Sequence, residues 1–348
     1  MITTLILFII ILSITVLVHE LGHYLFARLV GVHVYEFAIG MGPKIISKKG
    51  KDGINYSIRA IPLGGFVSLA GEEVDVDLKK HEGKNLQDKT MLQRFLVMFM
   101  GVGFNFIFAF LVLFAIGLAV GAPNMDPIIS EATAGLPAAV AGVESGDKVL
   151  SINNQKVTYV DDIMLYLTVE DLSKPVSIKV EKQDQTIITY KIIPEKQKIN
   201  DEEKYIVGIS FNKVTKRGFF KSIEYGLKQE AALLKQMFVV LKSLFTGKMS
   251  MGQLSGPVGI YGVVGDMKKQ GSVALFSLLA LLSINVGIIN LLPFPAFDGG
   301  RILFIIIERI KGKPISSKVE NTVHSIGFIL LMLLMLFVTF QDIINLFK

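Results

Sequence analysis

The pentapeptide HELGH, at residues 19–23, places two histidines four positions apart with a glutamate after the first. On a helix such residues share one face about 6 Å apart, so His19 and His23 could direct both imidazoles at one metal ion. Glu20 would point about 100° away and could still reach a water at the open metal position as a general base. The spacing therefore predicts a metal site with a base beside it, and zinc is the ion it favours.

The run that contains HELGH is otherwise apolar. The eighteen residues before His19 carry no charged side chain, so the motif falls where a bilayer-spanning helix is still buried. A short HExxH pattern in a soluble helix can arise by chance, but an unpaired histidine or glutamate inside a membrane is costly. Ionisable groups at that depth are usually functional, and the context therefore favours the metal site.

A catalytic zinc ion usually has three protein ligands and one open position, so a third ligand is needed. The chain has no cysteine, which leaves histidine or carboxylate. His33 follows a turn, His81 lies in a charged tract, and His324 opens the last apolar segment. We predict that these three histidines are interfacial or solvated rather than metal ligands.

Asp298, in the stretch NLLPFPAFDGG, is the better candidate for the third ligand. Pro293 and Pro295 precede it and interrupt the helix ladder. Such a break at membrane depth is tolerated only where the freed backbone lines a cavity or packs in protein. Two glycines follow Asp298 and allow close backbone approach. Taken alone, Asp298 could instead be the N-cap of the helix GGRILFIIIERI.

Composition indicates a membrane protein. Of the 348 residues 51% are hydrophobic, and the mean hydropathy is positive. The absence of cysteine excludes disulfide frameworks, iron–sulfur clusters, thiolate zinc fingers and cysteine nucleophiles. The net charge of +6 comes mostly from loops beside apolar segments, which indicates membrane orientation rather than binding of nucleic acid.

Four segments reach the roughly 20 apolar residues that a bilayer core requires. They are about residues 2–27, 95–121, 272–297 and 323–340. The first has no basic leader and no A-x-A-like cleavage site, so we expect a retained span rather than a removed signal peptide. The basic loop between the third and fourth spans predicts that both termini lie outside the cytoplasm. His19 and Asp298 then lie at equal depth, near the cytoplasmic edge.

Between the second and third spans, residues 124–213 alternate apolar and polar positions and predict a compact α+β domain. Strands are expected at KVLSIN, VSIKVEK and TIITYKII, with a short helix near residues 160–168. Residues 214–271 follow, with a predicted interfacial helix at about 216–246 that carries lysines every seventh residue, facing lipid phosphates. A fifth spanning helix is the weaker alternative there. The glycine-rich GQLSGPVGIYGVVG is not expected to form an ordinary helix.

The segment SEATAGLPAAVAGVESGDKVLSINNQKV resembles a bacterial PDZ domain. HELGH and NLLPFPAFDGG, with this PDZ-like domain between them and LSGPVGI before the second, resemble the site-2 protease family of intramembrane zinc metalloproteases. The resemblance covers most of the chain and extends to YSIRAIPLGGFVSLAGEE, which is similar to the family's membrane-re-entrant β-loop, at about residues 54–71. Where a leucine commonly precedes the family's aspartate, this chain has Phe297, which keeps the position apolar.

The resemblance implies a polytopic α-helical membrane protein of about four spans with a re-entrant β-hairpin and an inserted extracytoplasmic PDZ-like domain. Its membrane parts are residues 1–123 and 272–348. It implies a Zn²⁺ cofactor held by His19, His23 and Asp298, with Glu20 as the catalytic base. Substrate-binding positions would be Asn290, Pro293, Gly64, Gly65 and Phe66. The alternating stretch at residues 54–71 can form a hairpin with a free edge for an extended substrate.

The implied activity is cleavage of single-span proteins within their membrane helix, for example anti-sigma factors or signal-peptide remnants, in the bacterial cytoplasmic membrane. The PDZ-like domain would capture a peptide, or act only as a plug that excludes bulky substrates. A non-catalytic PDZ-bearing adaptor with a structural metal is the main alternative, because such a site needs no base. A transporter with a midplane metal site lacks support from any inverted repeat. The serine-protease motif G-x-S-x-G is absent from the sequence.

Overall fold

A computed structural model describes residues 1–72, 81–199, 202–211, 215–249, 252, 255–313 and 315–346. Part of the predicted glycine-rich segment and the last residues of the predicted 124–213 domain lie outside these ranges. The chain divides into two units: Met1–Val112 with Met251–Lys348, and Leu113–Ser250.

The helices are long in the first unit and mostly short in the second. They are α1 (Ile2–Leu29), α2 (Met91–Val120), α3 (Pro137–Val140), α4 (Val160–Val169), α5 (Phe219–Phe245), α6 (Pro257–Gln270), α7 (Ser272–Leu291), α8 (Asp298–Lys311) and α9 (Ser317–Leu346). The strands are β1 (Val34–Lys49), β2 (Asn55–Leu69), β3 (Ala122–Pro123), β4 (Ile129–Ala132), β5 (Lys148–Ile152), β6 (Gln155–Lys156), β7 (Val176–Glu181), β8 (Ile187–Ile192), β9 (Glu195–Ile199), β10 (Glu202–Ile206), β11 (Ile209–Phe211) and β12 (Thr215–Lys216).

Four helices in the described part of the chain are long and apolar enough to cross a bilayer. They are Ile2–Leu29, Met91–Val120, Ser272–Leu291 and Lys318–Ile344, which confirms the four predicted spans. The third ends at Leu291 rather than near residue 297. The cause is local, because Pro293 and Pro295 cannot donate to the helix ladder.

The β-hairpin of the first unit differs from the predicted one. The two halves of residues 54–71 do not pair with each other, because both belong to β2 and pair with β1, on opposite sides of it. Phe37 of β1 pairs with Val67 on one side and with Tyr56 on the other. The first half of β1 therefore lies between the two halves of β2, and the long hairpin forms a sheet of four strand segments. The chain reverses around Gly53, whose φ of +82° suits glycine, whereas Gly64 and Gly65 lie at an irregularity in the pairing.

A buried acid fixes the register of this sheet. Glu36 accepts hydrogen bonds from Ser57 at 2.5 Å and Arg59 at 2.9 Å, and it pairs with Lys44 at 2.8 Å. Burial alone would raise the pKa of Glu36, but these three donors outweigh it and hold the pKa below its ordinary value. The outer end of the sheet instead exposes apolar side chains: Ile39, Met41, Ile45, Ile46, Ile58 and Ile61.

The glycine-rich segment is helical from Pro257 onward, so the prediction that it cannot form an ordinary helix is wrong. Proline suits the first helical position. The N-terminal amides that a helix leaves unpaired are satisfied by Asp342 of α9, whose carboxylate accepts from the backbone N–H of Gly256 and Gly259 at 3.2 and 2.8 Å. The small residues let α6 pack between α1, α7 and α9.

The second unit contains a four-stranded sheet in the order β6-β5-β7-β8, a β4–β11 pair and helices α3 and α4 around one apolar core. The strands β5, β7 and β8 and the helix α4 lie where the sequence predicts them. Asp162, 2% exposed, accepts from the backbone N–H of Tyr159 at 3.0 Å and so caps α4. Val239 and Val240 of α5 pack against the same core.

Helix α5 is fixed to this unit by charge as well as by apolar contact, because Lys235 donates to Asp162 at 2.8 Å. Lys221 and Lys228 instead pair within α5, with Glu224, at 2.7 and 2.8 Å. The prediction that the lysines all face lipid phosphates is therefore wrong for Lys235, because a buried carboxylate in the same unit takes its ammonium group.

The crossing of α1 and α2 depends on glycine. A Cβ on Gly22 would lie 2.6 Å from the carbonyl carbon of Met100 and 2.9 Å from Cα of Gly101, and helix backbone cannot move away as a side chain can. We predict that Gly22→Ala lowers the free energy of unfolding by about 1–3 kcal/mol, the usual effect of overpacking.

The matched control is Gly262→Ala in α6, where an added Cβ meets nothing within 4 Å. It should be neutral or slightly stabilising, because alanine is the better helix former. Thermal unfolding in detergent measures both variants. Equal stability of the two would contradict the close crossing.

Candidate metal centre

Helix α1 brings His19 and His23 together on one buried face. The two residues are 6% and 7% exposed, and their Nε2 atoms lie 3.1 Å apart. The two rings are nearly perpendicular, at 85°, with centroids 4.7 Å apart. The arrangement follows from the i, i+4 spacing of the two residues on a continuous helix.

Asp298 begins α8, directly after the proline-rich break that follows α7. Its Oδ2 lies 2.9 Å from Nε2 of His19 and 3.1 Å from Nε2 of His23. Helix α8 is itself anchored to α2, because Arg94 donates to the buried Glu308 at 2.6 Å. The break in the third span therefore places a carboxylate against the two imidazoles.

The three ligand atoms fit one face of a tetrahedral zinc site. Ligand atoms at about 2.0–2.1 Å from zinc in tetrahedral geometry are separated by roughly 3.3 Å, close to the triangle observed here. Oδ2 of Asp298 is buried and makes no hydrogen bond to any described group, although both imidazole nitrogens are near. Three electron pairs directed at a common centre, rather than at one another, explain this pattern. The donor set of two imidazoles and a carboxylate suits zinc.

Contacts behind the imidazoles orient both rings. Nδ1 of His23 donates to the carbonyl of Val97 at 2.8 Å, which leaves the lone pair on Nε2. Nδ1 of His19 lies 3.3 Å from the amide of Asn105. A 180° turn of that amide presents its oxygen to Nδ1–H, so that Nε2 of His19 also carries a lone pair.

Room for the two imidazoles comes from Gly101 of α2. A Cβ at this position would overlap the ring of His23 and lie 3.0 Å from Cε1 of His19. The close crossing of α1 and α2 that Gly22 permits therefore also packs the α2 backbone directly against the two imidazoles.

Glu20 faces the sheet rather than the two histidines. Its Oε2 accepts a hydrogen bond from the backbone N–H of Val67 at 3.0 Å. Further along α1, Oγ of Ser13 donates to the carbonyl of Pro62 at 2.9 Å. The edge of β2 thus runs beside α1, and the Glu20 carboxylate, which is bonded to this edge, interacts electrostatically with both histidines.

The predicted substrate-binding residues differ in their surroundings, and Gly65 is the one whose added Cβ would lie near Glu20. Gly64, at φ +77°, and Gly65 lie on the β2 edge, and a Cβ on Gly65 would be 3.9 Å from Cγ of Glu20. Phe66 packs under the guanidinium of Arg59, 4.6 Å from its ring centroid. Asn290 is bonded within its own helix, where its amide donates to the carbonyl of Val286 at 3.0 Å. Pro293 is exposed in the break after α7.

Two contacts at the site escape prediction from sequence. Asn105 is fully buried in an otherwise apolar span, and an amide in such a run is the signal that could have identified it. The carbonyl of Val97 has no sequence signal, because any residue would supply it.

The other three histidines lie outside the ligand group. His33 stacks on His81, with ring centroids 3.9 Å apart. His324 is partly buried and accepts from the backbone N–H of Ala296 at 3.0 Å, a contact that sequence reasoning did not predict.

Comparison with known proteins is consistent with this geometry. The family model described as Peptidase family M50 matches residues 7–334. A Clostridium perfringens protein named as a zinc metalloprotease is 37% identical over 95% of this chain and 96% of its own length. The regulator of sigma-W protease RasP of Bacillus subtilis is 34% identical over 99% of both chains. The zinc metalloprotease RasP of Bacillus licheniformis shows the same identity over 99% of both chains. The chain therefore belongs to peptidase family M50, the site-2 proteases, and is a multi-pass membrane zinc metalloendopeptidase.

Proposed function

We propose that this protein hydrolyses peptide bonds within the membrane helix of single-span membrane proteins, with His19, His23 and Asp298 as zinc ligands and Glu20 as the base. One observation carries the proposal. Three ligand atoms lie about 3 Å apart, and the carboxylate of Glu20, which interacts electrostatically with all three ligand residues, is hydrogen-bonded to a strand edge. A structural metal site in a non-catalytic adaptor would need neither the carboxylate nor the edge.

The chemistry divides between the metal and the protein. When bound, zinc would lower the pKa of a water molecule toward 7 and would polarise the scissile carbonyl. The Glu20 carboxylate accepts the proton of the attacking water and later delivers it to the leaving nitrogen. Asp298 and the two histidines hold their electron pairs toward one point, and the contacts of His23 with Val97 and of His19 with Asn105 keep the rings in that orientation.

A membrane helix must unwind before its peptide bonds can be attacked, because internal hydrogen bonds otherwise hide them. We propose that the β2 edge at Gly64, Gly65 and Phe66 holds the unwound substrate as an added strand. Its position beside Glu20 supports this role, and the exposed apolar outer end of the sheet supports insertion of the hairpin into the membrane. Asn290 would bind a substrate carbonyl after its amide leaves Val286, next to the exposed Pro293.

The orientation is part of the proposal. The Lys and Arg residues between the third and fourth spans support a cytoplasmic location for that loop and for the metal centre near it. The PDZ-like domain, residues 124–213, would then lie outside the cytoplasm, with α5 at the membrane surface. We infer a location in the bacterial cytoplasmic membrane.

RasP of Bacillus subtilis is named as a regulator of sigma-W protease. On this basis we propose that membrane-bound anti-sigma factors are among the substrates, with signal-peptide remnants as a second class. The PDZ-like domain would bind a peptide of the substrate or exclude substrates that still carry a bulky outer domain.

The base assignment is tested by Glu20→Gln. The amide cannot accept the proton of water, so cleavage of a single-span substrate should fall by at least about 100-fold. Zinc content should stay near that of the native protein, because Glu20 is not proposed as a ligand. His23→Ala is the matched comparison and should lose both zinc and cleavage. Undiminished cleavage by Glu20→Gln would refute the assignment.

The support of His19 is tested by Asn105→Leu, which removes the hydrogen-bond partner of Nδ1. Loss of such an outer contact typically weakens metal binding about 10–100-fold. Competition with a zinc chelator measures the affinity. The control is Thr15→Val, which removes a buried hydroxyl bonded only to its own helix at Leu12 and should bind zinc as the native protein does. Native affinity in Asn105→Leu would show that Asn105 does not support the ligand.

The exclusion role is tested by replacing residues 126–212 with a short Gly-Ser linker. Thr215 pairs with Pro123, so the ends to be joined are already neighbours. The shortened protein should cleave substrates that retain their outer domain, which the native protein leaves intact. The same deletion with Glu20→Gln should be inactive and shows that the cleavage comes from this site. Continued dependence on prior trimming would end the exclusion hypothesis.

A further inference from the structure

The helix of the fourth span contacts the segment that carries Asp298. His324 of α9 accepts a hydrogen bond through Nδ1 from the backbone N–H of Ala296, at 3.0 Å. Ala296 lies two residues before Asp298 in the break between α7 and α8. A side chain of the fourth span therefore bonds directly to the backbone that sets the position of the proposed zinc ligand at the start of α8.

Ala296 is held in a conformation that it would not adopt unaided. Its φ is +84°, a region that residues with a Cβ rarely occupy and that persists only where the surroundings fix it. Turn bonds hold the residues on either side, since Phe294 N–H donates to Leu292 at 2.7 Å and Phe297 N–H to Phe294 at 3.1 Å. The N–H of Ala296 itself is directed at His324.

A second contact of α9 with the break lies one turn further on. A Cβ on Gly327 would be 2.6 Å from the carbonyl carbon of Pro295, so the backbone of α9 abuts the residue before Ala296. His324 and Gly327 are three positions apart and share one face of the helix. Together, His324 and Gly327 form the surface of α9 that contacts the Pro295–Ala296 backbone.

The histidine acts here as a neutral acceptor. Because Nδ1 accepts, the ring proton is on Nε2, which is buried and has no hydrogen-bond partner among the residues described. The ring lies 5.9 Å from that of Phe304 in α8. An aliphatic side chain of similar size could fill this space, but it could not accept from Ala296.

We infer that His324 is a positioning residue of the metal centre: its Nδ1 fixes Ala296 and thereby holds the Asp298 carboxylate against His19 and His23. This inference rests on the proposed ligand set. Only 11% of the spanning part of α9 is buried, so most of that helix faces outward and this turn is where it reaches the site. The fourth span thus supports the site through two residues: His324, which accepts from Ala296, and Gly327, which lets the helix backbone contact Pro295.

The test compares zinc affinity, by chelator competition in detergent, among His324→Asn, His324→Gln and His324→Leu. The oxygen of asparagine can stand near the place of Nδ1, whereas the longer glutamine carries its amide near the place of Nε2. We expect His324→Asn to bind zinc within about threefold of the native protein, and the other two to bind about 10–100-fold more weakly. The kcat for a single-span substrate should follow the same order, with KM within about twofold.

Ile326→Val, at an exposed position two residues on, is the control and should change neither quantity. If His324→Leu fails to fold, the comparison of asparagine with glutamine decides, because both are polar variants of one position. Equal zinc affinity of these two, or native affinity in all three, would overturn the inference. Failure of the proposed function is a different outcome: His19→Ala would then bind zinc as well as the native protein.

Discussion

The constraint on which this structure depends is that three polar atoms are buried together at membrane depth. Two imidazole nitrogens and a carboxylate oxygen lie about 3 Å apart in a place where lipid offers no hydrogen bonds. Such an arrangement is costly without a shared cation, and a zinc ion held by the three groups would remove that cost by accepting all three electron pairs. The close glycine crossing of α1 and α2, the break after α7 and the anchoring of α8 to α2 all bring these atoms together.

The break after the third span positions Asp298 but leaves backbone groups without helical hydrogen-bond partners. A continuous helix would carry Asp298 along its axis, whereas the proline-interrupted loop turns the start of α8 toward α1. The loop, however, frees backbone groups that have no helical partner. Its own turn bonds and the acceptor on His324 satisfy several of them. The fourth span is thereby linked to the site without supplying a ligand.

Sequence reasoning succeeded where a feature depends on periodicity or composition. The four spans and the proximity of HELGH to Asp298 follow from apolar length, i, i+4 spacing and helix-breaking prolines, all of which are local signals. It failed where the outcome depends on packing between distant segments. The partner of β2 is β1 rather than β2 itself, and the glycine-rich segment becomes α6 because neighbouring helices and Asp342 stabilise it. The contact of His324 with Ala296 was not predicted for the same reason, since the two residues are 28 positions apart in sequence.

The placement of Glu20 shows how one helix can serve both halves of the proposed reaction. His19 and His23 face inward toward α2 and Asp298, while Glu20, one residue along, bonds to the edge of β2. A substrate strand added to that edge would lie on the side of α1 that carries Glu20. The helical rotation of about 100° per residue therefore sets the angle between the histidine pair and the strand edge. Placing the base on a different element would require two independent packings to agree to within a hydrogen-bond length.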